Sequence, residues 1–413
     1  HALHARRTMN RRHGDESDRG APAEATPPDV WRLSSKDYGF YHVRCSLERD
    51  GQPILVKETS FAVMDLEGGA RSRGEFGWTL SAQADRISPE YLADLARESG
   101  INWIKYPLWQ SVHSKDSEWP SRIISLFDRM QLSRITPVGL LGDPPPDLRN
   151  QFAADWTGVS EIFSMSPQFW SPSLEPVIAR YSSSVRYWQL GSDDDSSFAG
   201  MKSLPPTLAN VKREFDRIGR DTRVGVRWNW SSPPPLASEI PQTFLSYKTD
   251  ESADGSELID KLGSARRSGL PCWVLIEPLS IKHRPEQRGV DLVKRMVWAK
   301  IGGAEGIFAS DVFNREHGLL NSDGSPTLLY LPWRTVALAL QGAEYLGPLN
   351  LPHKRINHAF ARGAEVVVGI WNDKPTTVQI YLGEDVTVTE VPGRQLKADV
   401  VNTSDGKQNV MEV

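Results

Sequence analysis

The sequence predicts an α/β protein built on a (β/α)8 barrel, with a small antiparallel β-sandwich attached. Eight short apolar segments of strand type alternate with amphipathic segments of helical type between residues 74 and 347. A barrel of this kind typically needs about 250 residues, which fits this span. No glycine-rich phosphate-binding loop follows a predicted strand, which disfavours a doubly wound sheet.

The predicted strands are short apolar runs bounded by polar or turn residues. They span Glu75–Leu80, Trp103–Pro107, Ile135–Leu141, Val185–Gly191, Arg223–Trp228, Thr243–Tyr247, Cys272–Glu277 and Gly306–Ala309. Apolar residues at helical spacing predict the helices. These span Pro89–Ser99, Pro120–Met130, Leu174–Tyr181, Leu208–Ile218, Ser256–Arg267, Val290–Ile301 and Leu328–Leu346. The fifth unit is irregular, because residues 231–242 contain three consecutive prolines and can hold little helix.

Three further regions flank the predicted barrel. Residues 1–35 are rich in charged residues, Pro and Ala without apolar periodicity, which predicts a flexible tail or linker. Residues 36–73 predict a β-hairpin around a turn at 49–51, and residues 348–413 predict a C-terminal β-sandwich. A lone hairpin is marginal in water, so it either completes that sandwich or belongs to a larger upstream β-domain. Because the first residue is His1, we favour the second alternative, in which the chain is a fragment of a larger multidomain protein.

Composition excludes several classes of protein. The 48 basic and 52 acidic side chains give a net charge of −4, which disfavours nucleic acid as a partner. No apolar run approaches the ~18 residues that span a bilayer. Two cysteines exclude a disulfide scaffold and a cysteine metal site. His113, His283 and His317 are isolated in sequence and no Walker loop occurs, so neither a metal nor a cofactor is predicted.

Acidic residues follow two of the predicted strands, at the end of the barrel where active sites of this fold lie. One strand runs into Ser192-Asp193-Asp194-Asp195, and another runs into Glu277-Pro278. Adjacent carboxylates repel unless solvent or a ligand screens them. The acidic triplet is therefore a solvated loop, a helix N-cap, a calcium site or a catalytic group. For Glu277 the alternatives are a salt-bridged rim residue and a catalytic carboxylate.

The runs Tyr187–Asp193 and Trp273–Glu277 resemble those of the clan A (β/α)8 glycoside hydrolases. The stretch Tyr330–Leu346, which leads into the predicted sandwich, resembles the family 39 and cellulase-like members of that clan. The order of the predicted elements resembles that of the clan over residues 74–410, whereas specific residue matches are limited to about a dozen positions. It implies a nucleophilic Glu after the seventh strand and an acid/base Glu, preceded by Asn, after the fourth.

Glu277 matches the nucleophile position, whereas Ser192-Asp193 replaces the Asn-Glu pair. An Asp retracts the carboxyl by about 1.5 Å relative to Glu. The shorter side chain either weakens proton delivery or opens the gap enough to admit a water. Asp194 is the alternative acid/base residue.

Other strand ends supply candidate substrate-binding residues. Lys105 stands where the clan often has an Arg beside the nucleophile, and a cation there would hold Glu277 ionised. Tyr247 is placed to donate a hydrogen bond to the same carboxylate, and the Asp250 and Glu251 that follow it are equally well explained as loop charges. The remaining candidates at or just past strand ends are Ser192, Arg227, Asp311, Trp78, Trp109, Trp228 and Trp230, the indoles being suited to stacking on sugar rings.

The resemblance implies an enzyme that hydrolyses O-glycosidic bonds in an oligo- or polysaccharide, with a retaining mechanism favoured. Glu277 would attack the anomeric carbon, and Asp193 or Asp194 would protonate the leaving oxygen and then activate water. Two alternatives stay open: a carbohydrate-binding protein derived from a glycosidase but without competent catalysis, and a structural part of a larger surface protein. The even charge balance fits a neutral glycan, and secretion or a periplasmic location is implied by the resemblance alone.

Overall fold

The computed structural model describes most of the chain. The described residues are 3–11, 37–49, 52–64, 74–109, 118–152, 155–240, 242–251, 254–350, 356–371, 377–380, 386–396, 399–403 and 406–412.

Three antiparallel strands precede the barrel: β1 (Leu3–Arg11), β2 (Gly39–Arg49) and β3 (Gln52–Val63). β2 and β3 pair as a hairpin at the predicted place. β1 lies in the segment for which the sequence predicts a flexible tail, and it pairs with β2 over its whole length. Pairing at a sheet edge uses backbone N–H and C=O groups, so it requires no apolar periodicity that the sequence would display.

The predicted barrel is confirmed: eight parallel strands form a closed ring in chain order, with the eighth paired to the first. These strands are β4 (Phe76–Thr79), β5 (Trp103–Pro107), β6 (Thr136–Leu141), β7 (Tyr187–Leu190), β8 (Arg223–Trp228), β9 (Thr243–Lys248), β10 (Cys272–Ile276) and β11 (Gly306–Ala309).

Helices alternate with the strands around the outside. They are α1 (Pro89–Glu98), α2 (Trp119–Leu132), α3 (Pro146–Arg149), α4 (Ser160–Ser164), α5 (Pro167–Tyr181), α6 (Leu204–Ile218), α7 (Gly255–Arg266), α8 (Pro285–Ile301) and α9 (Tyr330–Leu340). Local signals fix several of their starts. Ser88 accepts a hydrogen bond from the Tyr91 N–H at the start of α1, and Asp254 caps α7 by accepting from the Glu257 N–H. No described helix is long and apolar enough to cross a bilayer.

Two segments differ in detail from the regular pattern. As the proline run predicts, described residues 229–240 between β8 and β9 contain no helix. The last helix is shorter than predicted: it ends at Leu340 and not at Leu346. Gly342 adopts a left-handed φ of 65° after it, and the chain then enters a strand at Glu344–Gly347.

Alternate residues of each barrel strand point into the lumen. Val138, Phe244, Trp273, Leu275 and Phe308 form a core of their own inside the barrel, separate from the larger core between strands and helices. This alternation determines which polar residues face the lumen at the carboxyl ends of the strands.

The chain after the barrel forms separate small antiparallel sheets, as expected for an accessory β-structure. The strands are β12 (Glu344–Gly347), β13 (Ile356–Arg362), β14 (Glu365–Trp371), β15 (Thr377–Ile380), β16 (Val388–Thr389), β17 (Gln395–Leu396), β18 (Asp399–Thr403) and β19 (Gly406–Glu412). Phe360 of β13 is fully buried and belongs to the main core. On the N-terminal side, Ser60 of β3 donates a hydrogen bond to the carbonyl of Pro326.

Candidate active site

Asp193 lies just after β7 and is almost completely buried, with 8% of its surface exposed. Its Oδ1 is 2.6 Å from Nζ of Lys105, which comes from β5 and is fully buried. Thr79 Oγ1 donates to Asp193 Oδ2 at 2.6 Å, and Gln189 Nε2 donates to Oδ1 at 3.0 Å. Donors from three barrel strands therefore hold this carboxylate inside the barrel mouth.

The environment of Asp193 favours its charged form. Burial raises the pKa of Asp193, but Lys105 and the hydrogen bonds from Thr79 and Gln189 outweigh burial, so that the pKa lies below its usual value. Burial lowers the pKa of Lys105, and Asp193 opposes that effect. A carboxylate with a lowered pKa has no proton to donate near neutral pH. Asp193 is thus poorly suited to act as a general acid while Lys105 is bound to it.

Lys105 does not occupy the place that the resemblance implies. The sequence predicts its ammonium beside Glu277, whereas the structure pairs it with Asp193 and, at 3.2 Å, with Ser246 Oγ. The cation beside Glu277 is Lys248, the last residue of β9. Lys248 lies two residues after Ser246 and hence on the same, inward face of the strand.

Lys248 contacts two carboxylates at the barrel mouth. Its Nζ is 2.8 Å from Glu277 Oε2 and 3.0 Å from Asp194 Oδ1. Together these two distances limit the separation of the two carboxylate oxygens to 5.8 Å. Burial lowers the pKa of Lys248, but hydrogen bonds from the ammonium to Glu277 and Asp194 outweigh it and raise the pKa.

Glu277 follows β10 and is held by its backbone. Arg295 of α8, fully buried, donates from Nη1 to the Glu277 carbonyl at 2.8 Å and to Thr249 Oγ1 at 3.1 Å. The same guanidinium forms an ion pair with Asp291. The side chain of Glu277 remains about one-third exposed, so it is accessible from the mouth.

The three adjacent aspartates have three different surroundings. Asp193 is buried on Lys105, and the side chain of Asp194 is 80% exposed. Asp195 accepts hydrogen bonds from the N–H groups of Val159 and Ser197, at 2.9 Å and 3.0 Å. The backbone N–H of Asp194 donates to Ser192 Oγ at 3.3 Å, so Ser192 supports the loop.

Two further residues predicted for the site face it. Arg227 of β8 donates from Nε to the backbone carbonyl of Asp193 at 2.8 Å, which fixes the loop after β7. Asp311, after β11, accepts from the Phe313 N–H at 3.3 Å. Burial raises the pKa of Asp311 above its usual value.

The aromatic residues predicted for the rim are mostly buried. Trp78, Trp109 and Trp228 are 0%, 2% and 3% exposed, and Trp78 packs edge-to-face on Tyr330 of α9. Their indole faces are thus core surfaces rather than open platforms. Trp230 is only half-buried, and its Nε1 donates to the Lys248 carbonyl at 2.6 Å.

Tyr247 also differs from the expectation. It stacks on Trp230, with ring centroids 4.2 Å apart, and its hydroxyl has no hydrogen-bond partner among the described residues. Because Ser246 and Lys248 face the lumen, Tyr247 between them faces the surrounding helices. It is therefore directed away from Glu277, and burial raises its pKa.

One group of residues was not predicted as a unit. Glu251, Glu277 and His317 each place one oxygen or nitrogen atom within 4.8 Å of the others. These residues are far apart in sequence, and no spacing pattern joins them. Lys248 could have been recognised from its position two residues after Ser246, whereas nothing in the sequence indicates Gln189 or Arg295.

A cavity of about 310 Å³ lies at the opposite, amino-terminal end of the barrel. Its walls include the aromatic residues Trp103, Tyr187, Phe244 and Trp273. The charged cluster lies at the carboxyl ends of the strands, where active sites of barrel enzymes occur. We therefore place the candidate active site at that end.

Neither a family model nor a curated protein matches the sequence. Among solved structures, a family 39 glycoside hydrolase from the gut symbiont Bacteroides cellulosilyticus WH2 superposes with a TM-score of 0.68 at 17% identity, covering 91% of this chain and 86% of that one. A family 30 endoxylanase from Clostridium papyrosolvens C71 gives a TM-score of 0.54 at 9% identity, covering 85% of this chain and 96% of that one. At such identities the likeness establishes the fold, and function has to be argued from the site. The chain thus has the (β/α)8 fold that these two glycoside hydrolases share, as the resemblance predicts.

Proposed function

We propose that the chain is a glycoside hydrolase that cleaves O-glycosidic bonds in a neutral oligo- or polysaccharide, with Glu277 and Asp194 as its two carboxylates. The observation that supports this is the bridge through Lys248, which limits the separation of the Glu277 and Asp194 oxygens to 5.8 Å. Retaining glycosidases hold their carboxyl groups about 5–5.5 Å apart, whereas inverting ones require about 6.5–9.5 Å. The limit applies to the two oxygens that contact Lys248, and it is compatible with the shorter range, so we propose a retaining mechanism.

In this mechanism Glu277 attacks the anomeric carbon, and Asp194 donates a proton to the leaving oxygen. Asp194 then removes a proton from the water that hydrolyses the glycosyl-enzyme intermediate. Asp194 is preferred over Asp193 for this role because Asp193 is ionised, buried and bound to Lys105.

Substrate has to displace Lys248, since the scissile bond must lie between the two carboxylates that the ammonium now bridges. A lysine side chain is long and flexible, so this movement needs no change of backbone. Displacement of Lys248 would leave the Asp194 carboxyl free to contact the leaving oxygen.

Trp230 is the proposed stacking surface for a sugar ring. One of its faces is covered by Tyr247, and its Nε1 is tied to the backbone of Lys248. The ammonium of Lys261 lies 5.9 Å from the centroid of the same indole, so a sugar ring would stack on the part of the ring that Tyr247 and Lys261 leave open. A half-buried indole gives a rigid apolar surface on which a pyranose can stack.

A second candidate function is carbohydrate binding without hydrolysis. It is favoured by the surroundings of Asp193, because the residue at the family's acid/base position is neutralised by a buried lysine. In that case the fold and the cleft persist while proton donation is lost.

Kinetics of amide variants on a panel of oligosaccharides and dinitrophenyl glycosides test the proposal. Glu277→Gln should abolish hydrolysis. Asp194→Asn should slow oligosaccharide hydrolysis by about 10²–10⁴-fold, the usual contribution of general acid catalysis. It should slow dinitrophenyl glycosides less, since that leaving group needs no proton. Asp250→Asn is the matched control, because Asp250 is an exposed carboxylate paired with Lys261.

Full activity in Glu277→Gln would refute the proposed nucleophile. Retained activity toward oligosaccharides in Asp194→Asn would refute the role of Asp194. If the wild-type chain binds oligosaccharides in calorimetry but releases no product after long incubation, the second candidate is correct.

A further inference from the structure

Glu251, Glu277 and His317 form a cluster on the side of the barrel mouth away from Asp193. Each offers one ligand atom, and the three atoms lie within 4.8 Å of one another. Glu251 is exposed, whereas Glu277 and His317 are partly buried. The three residues come from the loops after β9, β10 and β11, so three neighbouring strand ends bring them together.

The histidine is oriented by a contact outside the cluster. His317 Nδ1 is 2.7 Å from the carbonyl oxygen of Pro278. A carbonyl oxygen can only accept, so Nδ1 carries the hydrogen and a neutral ring keeps its lone pair on Nε2. Metal-binding histidines commonly show this arrangement, in which the second nitrogen donates to a backbone carbonyl and fixes the tautomer.

The charges around the ring favour a cation. The carboxylates of Glu251 and Glu277 belong to the cluster, and Glu316 Oε2 lies 4.0 Å from His317 Nε2. Lys248 bonds to Oε2 of Glu277. A carboxylate has about four lone-pair sites, so Glu277 can serve Lys248 and a cation together.

We propose that Glu251, Glu277 and His317 form a binding site for a divalent transition-metal cation, represented by Zn²⁺. One imidazole and two carboxylates suit Zn²⁺, and three protein ligands leave a fourth position open. Metal–ligand bonds of about 2.1 Å would bring the ligand atoms to ~3.4 Å from one another in tetrahedral geometry. Rotation of the exposed Glu251 side chain can supply much of this movement.

Calorimetric titration of the full chain with ZnCl₂ tests the site. The chain has nine histidines, and some of the others can also bind zinc. The amount of zinc bound by His317→Ala is therefore subtracted from the amount bound by wild type, which removes the contribution of those other sites. We expect His317→Ala to lose one bound Zn²⁺ per chain, and Glu251→Gln to bind that ion at least ~10-fold more weakly, since loss of an outer-shell partner alone costs 10–100-fold. Circular dichroism establishes that each variant is folded.

His283→Ala is the matched control, because His283 is an exposed histidine on the loop after β10. It should bind zinc as wild type does. Equal zinc binding in wild type and His317→Ala would overturn the proposal, as would an equal loss in His283→Ala. Because the titration measures bound metal and not turnover, a negative result rejects the metal site alone.

Discussion

Replacing Lys105 by Met should destabilise the protein severely, because it leaves the Asp193 carboxylate buried without its cation. The two charged atoms are 2.6 Å apart. With an effective dielectric constant of about 20, their attraction at this distance is ~6 kcal/mol before the cost of desolvating them is subtracted. Removing one partner of such a buried pair typically costs 3–5 kcal/mol. We therefore expect the free energy of unfolding to fall by about 3–5 kcal/mol.

A double-mutant cycle isolates the pair from side-chain packing. Asp193→Asn alone should also be destabilising, since it leaves the Lys105 ammonium buried. The double variant Lys105→Met/Asp193→Asn removes both charges and should be more stable than the two single losses predict, by about 2–3 kcal/mol. Unfolding in urea, followed by tryptophan fluorescence and circular dichroism, measures each free energy.

Lys261→Met is the matched control for this cycle. Lys261 makes ion pairs with Glu257 and Asp250 at the surface, and such pairs contribute about 0–1 kcal/mol. If Lys105→Met costs no more than Lys261→Met, or if the two single effects at Lys105 and Asp193 simply add, the pair does not stabilise the barrel mouth and the reasoning is refuted.

Three further predictions concern Asp193, Gly225 and Asp195. The pKa of Asp193 is lowered in the folded state, so this carboxylate stabilises the fold above its unfolded pKa of about 3.9, and the stabilisation is lost as the pH falls through the folded pKa. The urea midpoint of Asp193→Asn should therefore depend less on pH below about 5 than the midpoint of wild type does. Gly225→Ala should lower the free energy of unfolding by about 1–3 kcal/mol, since the new Cβ would lie 2.0 Å from Phe244 Cε2; unchanged stability in urea would contradict this. Asp195→Asn weakens two charge-assisted hydrogen bonds and should cost about 1.5–3 kcal/mol, with faster amide exchange at Val159 and Ser197; unaltered exchange there would contradict it.

The barrel and the position of Glu277 could be predicted because both depend on short-range pattern. Strand-type runs at regular intervals specify the number of units, and a carboxylate after a run of apolar residues marks a strand end. The inward direction of Glu277 follows from its alternation with Trp273 and Leu275, which form the inner core. The same alternation places Tyr247 outside the lumen, and applying it to β9 would have corrected that expectation.

The pairing of charges at the mouth could not be predicted in this way. Lys105 and Lys248 both face the lumen, and either can reach a carboxylate from its position in sequence. Which carboxylate each contacts depends on the course of the loop after β7. That loop begins at Gly191, whose φ of 89° favours glycine, and the carbonyl of Asp193 is fixed by Arg227. These are long-range constraints that no local pattern records.

Under the proposed function, the loop after β7 gives a structural role to Asp193 and a chemical role to its neighbour Asp194. Asp193 points inward to Lys105, and Asp194, one residue on, is directed to the mouth beside Lys248. If the proton donor of this fold has moved from Asp193 to Asp194, stability and turnover should respond to different residues. Asp193→Asn should lower the free energy of unfolding, whereas Asp194→Asn should leave it nearly unchanged, because the Asp194 side chain is 80% exposed. Asp194→Asn should lose turnover, and the loss should be larger for substrates whose leaving group is more basic. A variant of Asp193 that remains fully stable yet shows that dependence would return the acid/base role to Asp193 and would leave Lys105 as the residue that has to move.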